Sequence, residues 1–171
     1  MGAIFPNEVK VYIVSSGTAG SALATTDAVT TEISNFNISG GGKDVESKPF
    51  FGGAFIDVEK PREQYELSLD VVNTYANATR WEGLLMGQGI TSTSVESSSE
   101  PTSKRIFIEA SDGTLYKTMA MDNCLATTYE PELSSDEYMK GTITFKFSST
   151  DSAAASNYVI AAVAASNAVF N

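Results

Sequence analysis

Two alternating patterns bracket a long excursion in the first half of the chain. In the first, Ile33, Phe36 and Ile38 are the bulky apolar residues, set among Ser34, Asn35, Asn37 and Ser39. The alternation slips at Asn35–Phe36, where a β-bulge restores it. Gly40-Gly41-Gly42 then ends the limb. In the second, Tyr65, Leu67, Leu69 and Val71 alternate without a break with Glu66, Ser68 and Asp70. A period of two predicts a strand with one buried face and one wet, acidic face. The stretch between them, Lys43 to Glu63, exceeds an ordinary turn. Phe50, Phe51, Phe55 and Ile56 stand at its middle. A protruding segment with apolar aromatic residues at its tip is explained if the tip docks on another surface.

The same reading predicts more strands on either side. Val9, Val11 and Ile13 point one way and Lys10 and Tyr12 the other, so Glu8 to Val14 is a strand. Ser15 to Thr30, mostly small residues, reads as a flexible connector or a second, smaller interaction loop. From Asn73 to Gly89 the period changes: Trp81, Leu84 and Leu85 share one helical face, Thr79 and Glu82 fit a capping box, and Gly87 or Gly89 closes a short helix. Thr91 to Ser103 is a Ser/Thr-rich linker. Lys104 to Ala110 and Leu115 to Met121 form a hairpin around Asp112-Gly113. Asp122-Asn123 supplies a further turn before Cys124 to Tyr129, and Glu130 to Asp136 is an acidic loop. The last clear strand is Tyr138 to Ser148, with Ile143, Phe145 and Phe147 opposite Thr142, Thr144 and Lys146. The Ala-rich segment Asp151 to Asn171 has no obvious partner strand and is expected to pack on the outside of the domain or on a neighbour. The fold class expected is mainly β: two packed antiparallel sheets, as sandwich or barrel, with one short α-helix, a long inter-strand loop and a C-terminal extension. Residues 1–150 make the domain, with the loop at 41–63, and 151–171 the extension.

Composition narrows the function. The 171 residues carry 11 basic and 21 acidic side chains, a formal net charge of −10, which opposes tight binding to a phosphate backbone. There is no histidine, so the commonest general base and metal ligand is missing and the usual nucleophilic triad is excluded. The single cysteine, Cys124, forms no internal disulfide and reads as a small buried hydrophobe. Met1 to Pro6 lacks the pattern of a signal peptide, so cytosolic synthesis is expected. The C-terminal apolar run is too short and too polar to span a bilayer.

Gly40-Gly41-Gly42-Lys43 is not a phosphate loop, because Asp44 stands where a hydroxyl residue is needed and no helix follows. Asp44, Glu46, Asp57 and Glu59 lack an EF-hand order and read as a solvated or salt-bridged loop. No carboxylate pair sits in a setting that raises one pKa, so the expectation is a protein that is not an enzyme and has no cofactor or metal.

The run Ile33 to Glu46, then Phe50-Phe51-Gly52-Gly53, then Glu59-Lys60-Pro61-Arg62-Glu63 through Val71, resembles the major tail tube protein of long-tailed bacteriophages. The resemblance covers about a quarter of the chain. It implies a structural virion protein whose hexameric rings stack into a tube for genome delivery, locked by the loop between two early strands. The loop residues it points to are Lys43, Asp44, Glu46, Lys48, Phe50, Phe51, Gly52, Gly53, Phe55, Lys60 and Arg62. Implied partners are copies of itself, other tail proteins at the tube ends and DNA in transit, with no membrane. The implied place is the virion tail, assembled in the host cytoplasm. An acidic sheet face along a tube repels DNA phosphates, and Glu66 and Asp70 are the candidates for it. A carbohydrate-binding or virion decoration module of similar β fold, using Trp81 or Tyr12 as exposed aromatics, is the alternative.

Overall fold

The computed structural model describes residues 9–24, 27–42, 45–49, 55–59, 64–73, 79–88, 100–111, 114–133, 138–148 and 157–163. Within them lie strands β1 (Val9–Ser15), β2 (Ile33–Gly40), β3 (Val45–Pro49), β4 (Phe55–Glu59), β5 (Tyr65–Val72), β6 (Lys104–Ser111), β7 (Tyr116–Glu132), β8 (Lys140–Phe147) and β9 (Tyr158–Val163), with one helix, α1 (Arg80–Leu85). The larger sheet runs β1-β6-β7-β8-β5-β2, with β9 added on β7, and all its ladders are antiparallel. The fold is therefore mainly β with one short helix, as the patterning predicts.

The two expected sheets are halves of one curled sheet that share β7. Its first part, Tyr116–Met121, pairs with β6 and β9, while Leu125–Glu132 pairs with β8. The pivot is Asp122-Asn123, where Asn123 takes φ 52°. Asparagine tolerates that left-handed conformation better than most residues. The turn expected at this dipeptide is thus a bend within a 17-residue strand, and the chain continues without reversing. Glu130 to Glu132, expected in a loop, belong to the same strand.

Both halves turn one face inward. Val11, Ile13, Ile106, Ile108, Met119 and Met121 from the first half meet Leu67, Leu69, Val71, Ile143, Phe145 and Phe147 from the second in one core cluster. Trp81 and Leu84 of α1 join it, both buried, and α1 packs on β7. Burying side chains of this size stabilises by roughly 1.5–3 kcal/mol each. The helix occupies the expected place, but Thr79 makes no side-chain cap hydrogen bond, so that half of the expected capping box is missing. The bulge in β2 falls between Ile33 and Asn35, within two residues of the expected slip.

Two further expectations are corrected. The C-terminal segment does have a partner strand: β9 pairs with β7 from Tyr116↔Val163 to Met121↔Tyr158. The connector at 15–30 is structured in part, with short 3-10 turns at Gly20–Ala22 and Thr30–Glu32. It also covers the outer edge of β1: Val29 N–H donates to Val11 O at 2.9 Å, and Val11 N–H donates to Thr30 Oγ1 at 2.9 Å. An edge covered in this way cannot recruit a stray strand.

Candidate assembly interface

The excursion between β2 and β5 contains a β-hairpin. Strands β3 and β4 pair antiparallel from Val45↔Glu59 to Pro49↔Phe55 and form their own two-stranded sheet. Among the described residues no ladder joins this hairpin to the larger sheet. A lone two-stranded hairpin is marginal in water, so it gains from a surface to pack on. Glu46 and Lys48 lie on β3 and Phe55 begins β4. Lys43, Asp44, Phe50, Phe51, Gly52, Gly53, Lys60 and Arg62 fall outside the described residues.

The root of the excursion is closely built. Gly40 and Gly41 have φ of 85° and 70°, and Gly41 N–H donates to Gln64 O at 3.4 Å. A Cβ on Gly40 would overlap the Gln64 carbonyl, and one on Gly41 would overlap the Tyr65 ring. Only glycine fits both positions without displacing backbone or ring. The Tyr65 ring stacks on Phe147 at 5.3 Å between centroids, and Tyr158 stands edge-on to Tyr65 at 5.0 Å. Sequence reasoning misses this cluster, because its members come from three separate strands.

The register places Glu66 and Asp70 on a broad polar face. Rows across β2, β5, β8 and β7 read Asn35–Asp70–Thr142–Glu130 and Asn37–Ser68–Thr144–Thr128, with Val72–Lys140–Glu132 at one end. The rows between them, Phe36–Leu69–Ile143–Tyr129 and Ile38–Leu67–Phe145–Ala126, face the core. Directly paired residues share a face and successive rows alternate, so this surface is mostly hydroxyl, amide and charge, with Val72 and the exposed Leu125, paired with Lys146, as apolar members. Glu66, Asp70, Glu130 and Glu132 outnumber Lys140 and Lys146 on it. Asp70 is held in place: Asn35 Nδ2 donates to its Oδ2 at 3.1 Å and Thr142 Oγ1 to its Oδ1 at 2.9 Å. Glu66 lies 3.6 Å from Lys146 Nζ in a half-exposed pair that contributes about 0–1 kcal/mol. A groove of about 470 Å³ crosses the face, lined by Ser34, Asp70, Glu130, Glu132, Lys140 and Thr142 among others. The alternation of β8 is visible in the sequence, but its position beside Glu66 and Asp70 is not.

The opposite outer surface, on the first half of the sheet, is different. Phe107 and Ala120 are buried there with Tyr12, Val14, Leu23, Val159 and Ala161 against them, and the Arg105 guanidinium lies 5.0 Å from the Phe107 ring centroid. Tyr12 is half-buried in this cluster and Trp81 is fully enclosed in the core, so neither is an exposed platform for a sugar ring. Cys124 is buried, and burial followed by the nearby Asp122 charge pushes its thiol pKa up, the reverse of what a reactive thiolate needs. Burial pulls the Lys104 ammonium below its ordinary range. No group of three or more Cys, Asp or Glu residues suited to a metal ion occurs among the described residues. No helix among them is long and apolar enough to cross a membrane.

The described residues thus form a mainly-β body that carries a separate hairpin and a largely polar sheet face. No family model and no curated protein matches the chain. Solved structures do. The chain is similar to the tube-terminating cap of the anti-feeding prophage, with a TM-score of 0.56 at 15% identity over 95% of this chain and 93% of that one. It is similar to a chain of the PVC sheath–tube complex of an extracellular contractile injection system in the extended state, with a TM-score of 0.55 at 14% identity over 94% and 93%. A chain of the PVC sheath/tube terminator aligns with a TM-score of 0.53 at 12% identity over 94% and 98%. At these identities the likeness shows the fold, shared across nearly the whole length of each chain.

Proposed function

We propose that this protein is a structural subunit of a phage-tail-type tube, forming hexameric rings that stack end to end. The reading is supported most by one observation: the fold is shared, over almost the full length, with components of tube and tube-terminating assemblies. Two of those neighbours come from an extracellular contractile injection system, so the reading takes in contractile as well as non-contractile tubes.

In this reading the excursion at 41–63 reaches the adjoining ring, and Phe50, Phe51 and Phe55 bury apolar surface there. Each contributes roughly 1.5–3 kcal/mol when fully enclosed, and the contact repeats around the ring. Lys43, Lys48, Lys60 and Arg62 meet carboxylates of the next subunit, while Asp44 and Glu46 meet its cations. Gly52 and Gly53 give the tip its tight turn. The polar face with Glu66, Asp70, Glu130 and Glu132 lines the lumen. Its excess of carboxylates repels a passing polyanion, and its few apolar side chains offer an unfolded or extended cargo little to adhere to. Other tail proteins close the tube ends. The protein catalyses no reaction.

Native mass spectrometry over a range of protein concentrations tests the ring. The expected result is a 18.2 kDa subunit that associates to six and to multiples of six. A different closed number, or a monomer at every concentration and after seeding with tube fragments, overturns the reading.

A further inference from the structure

We propose that Tyr158, the first residue of the C-terminal strand, is the positioning residue for the root of the 41–63 excursion. Four stretches of backbone meet at this point. The excursion departs after Gly40, returns at Gln64–Tyr65, β8 ends at Phe147 and β9 begins at Tyr158. Three rings join them. Tyr65 and Phe147 are stacked at 5.3 Å with 12° between their planes. Tyr158 is edge-on to both, at 5.0 Å and 68° to Tyr65 and at 5.8 Å and 79° to Phe147. Offset stacking and edge-to-face contact are the arrangements the ring quadrupole favours.

The contacts run in one direction through the fold. Asn157, buried, accepts the Asp122 N–H at 2.7 Å on its carbonyl and the Asn123 Nδ2 at 3.1 Å on its side chain. The corner of β7 thereby fixes the start of β9. Tyr158, held there and paired with Met121, fixes the edge of the Tyr65 ring. The Tyr65 ring in turn lies against Gly41, so closely that even a methyl group at Gly41 would overlap it. The backbone ladders alone hold Gly40 to Tyr65 and Tyr65 to Phe147. They do not fix the Tyr65 side chain; Phe147 stacks on its ring, and Tyr158, set across both rings, completes the restraint. A root held in one orientation spares the excursion part of the ordering cost of docking. The C-terminal strand therefore sets the direction in which the excursion leaves the body.

The positioning itself stands on these contacts, and only its consequence for assembly rests on the function proposed above. Hydrogen exchange on the full-length protein, held below its assembly concentration, separates the two. Tyr158→Leu keeps an apolar side chain but removes the ring. It is expected to speed exchange of amides between 41 and 65 by about tenfold, leaving β1 and β6 at wild-type rates. Tyr158→Phe is expected to match the wild type. Unchanged exchange in Tyr158→Leu overturns the proposal, and so does faster exchange across the whole chain, which makes Tyr158 an ordinary core residue. Light scattering on the same proteins reads assembly. Faster local exchange with unimpaired assembly upholds the positioning role and refutes the excursion as an inter-ring segment.

Discussion

The Arg80 guanidinium donates to Glu32 Oε1 at 2.9 Å across 48 residues of sequence, with the two side chains only 9% and 4% exposed. This buried pair ties the start of α1 to the 3-10 turn that leads into β2. Taking two charges out of water costs about as much as their attraction returns, but removing one partner leaves the other buried with its main countercharge gone. Arg80→Met is therefore expected to lower the unfolding free energy by about 3–5 kcal/mol. Arg80→Met combined with Glu32→Leu is expected to recover most of that loss. Urea unfolding of the single and double variants checks the pair, and additive losses contradict the account.

Removal of residues 153–171 is expected to damage folding as well as assembly. The deletion takes away β9, its ladder on β7 and the Tyr158 and Val159 side chains packed on the two apolar clusters. The expected loss is ~2–4 kcal/mol, from burial alone. Calorimetry of the truncated chain measures it. A cooperative transition at the wild-type temperature contradicts the structural role of β9.

Alkaline pH is expected to weaken the subunit. Burial, followed by the Asp122 charge, raises the Cys124 thiol above its ordinary 9.0. Burial also raises the Tyr129 and Tyr158 phenols above their ordinary 10.0, with smaller contributions from Glu82 and Tyr65, while the Asn73 hydrogen bond opposes the shift at Tyr129. All three groups are neutral when protonated and the fold favours that form; the lowered Lys104 ammonium acts with the opposite sign and offsets part of the effect. Their stabilisation is complete below the unfolded-state values and is lost as pH rises toward the folded-state ones. Urea midpoints are thus expected to be flat from neutral pH to just below 9.0 and to fall above it, with Cys124→Ala moving the onset up toward 10.0. A midpoint that does not move in strong alkali contradicts the reading, as does ready alkylation of Cys124 in the folded protein.

What the sequence conveys is decided by how local each signal is. Strands β5 and β8 are legible because one face is wet and the other buried, and that contrast is written residue by residue. The helix is legible through Trp81, Leu84 and Leu85. Asp122-Asn123 misleads because its turn chemistry is real: Asn123 does adopt positive φ, yet the strand bends there and runs on. Strand β9 escapes detection because its strand formers Tyr158, Val159, Ile160 and Val163 are set in an alanine-rich segment without regular alternation, and its partner lies about forty residues away. Pro49 and the neighbouring glycines hide the hairpin at β3 and β4, since both residue types weaken a strand pattern. The polar face and the Tyr65–Phe147–Tyr158 cluster depend on register between distant strands, which no single stretch of sequence encodes.

Phe50→Ser with Phe51→Ser is expected to leave the subunit folded and unable to stack. The motive is an apolar tip on an otherwise polar excursion. Circular dichroism and the thermal transition report folding, and pelleting at high speed reports tubes. Loss of the thermal transition means that the two rings belong to a core, and the docking argument then fails.

The central claim is that this chain is a tube subunit, and electron microscopy of the purified protein at increasing concentration tests it most directly. The account predicts six-fold rings with a central hole at low concentration and tubes of constant diameter at high concentration. Small particles without a hole at every concentration, including in the presence of pre-formed tube ends, contradict it.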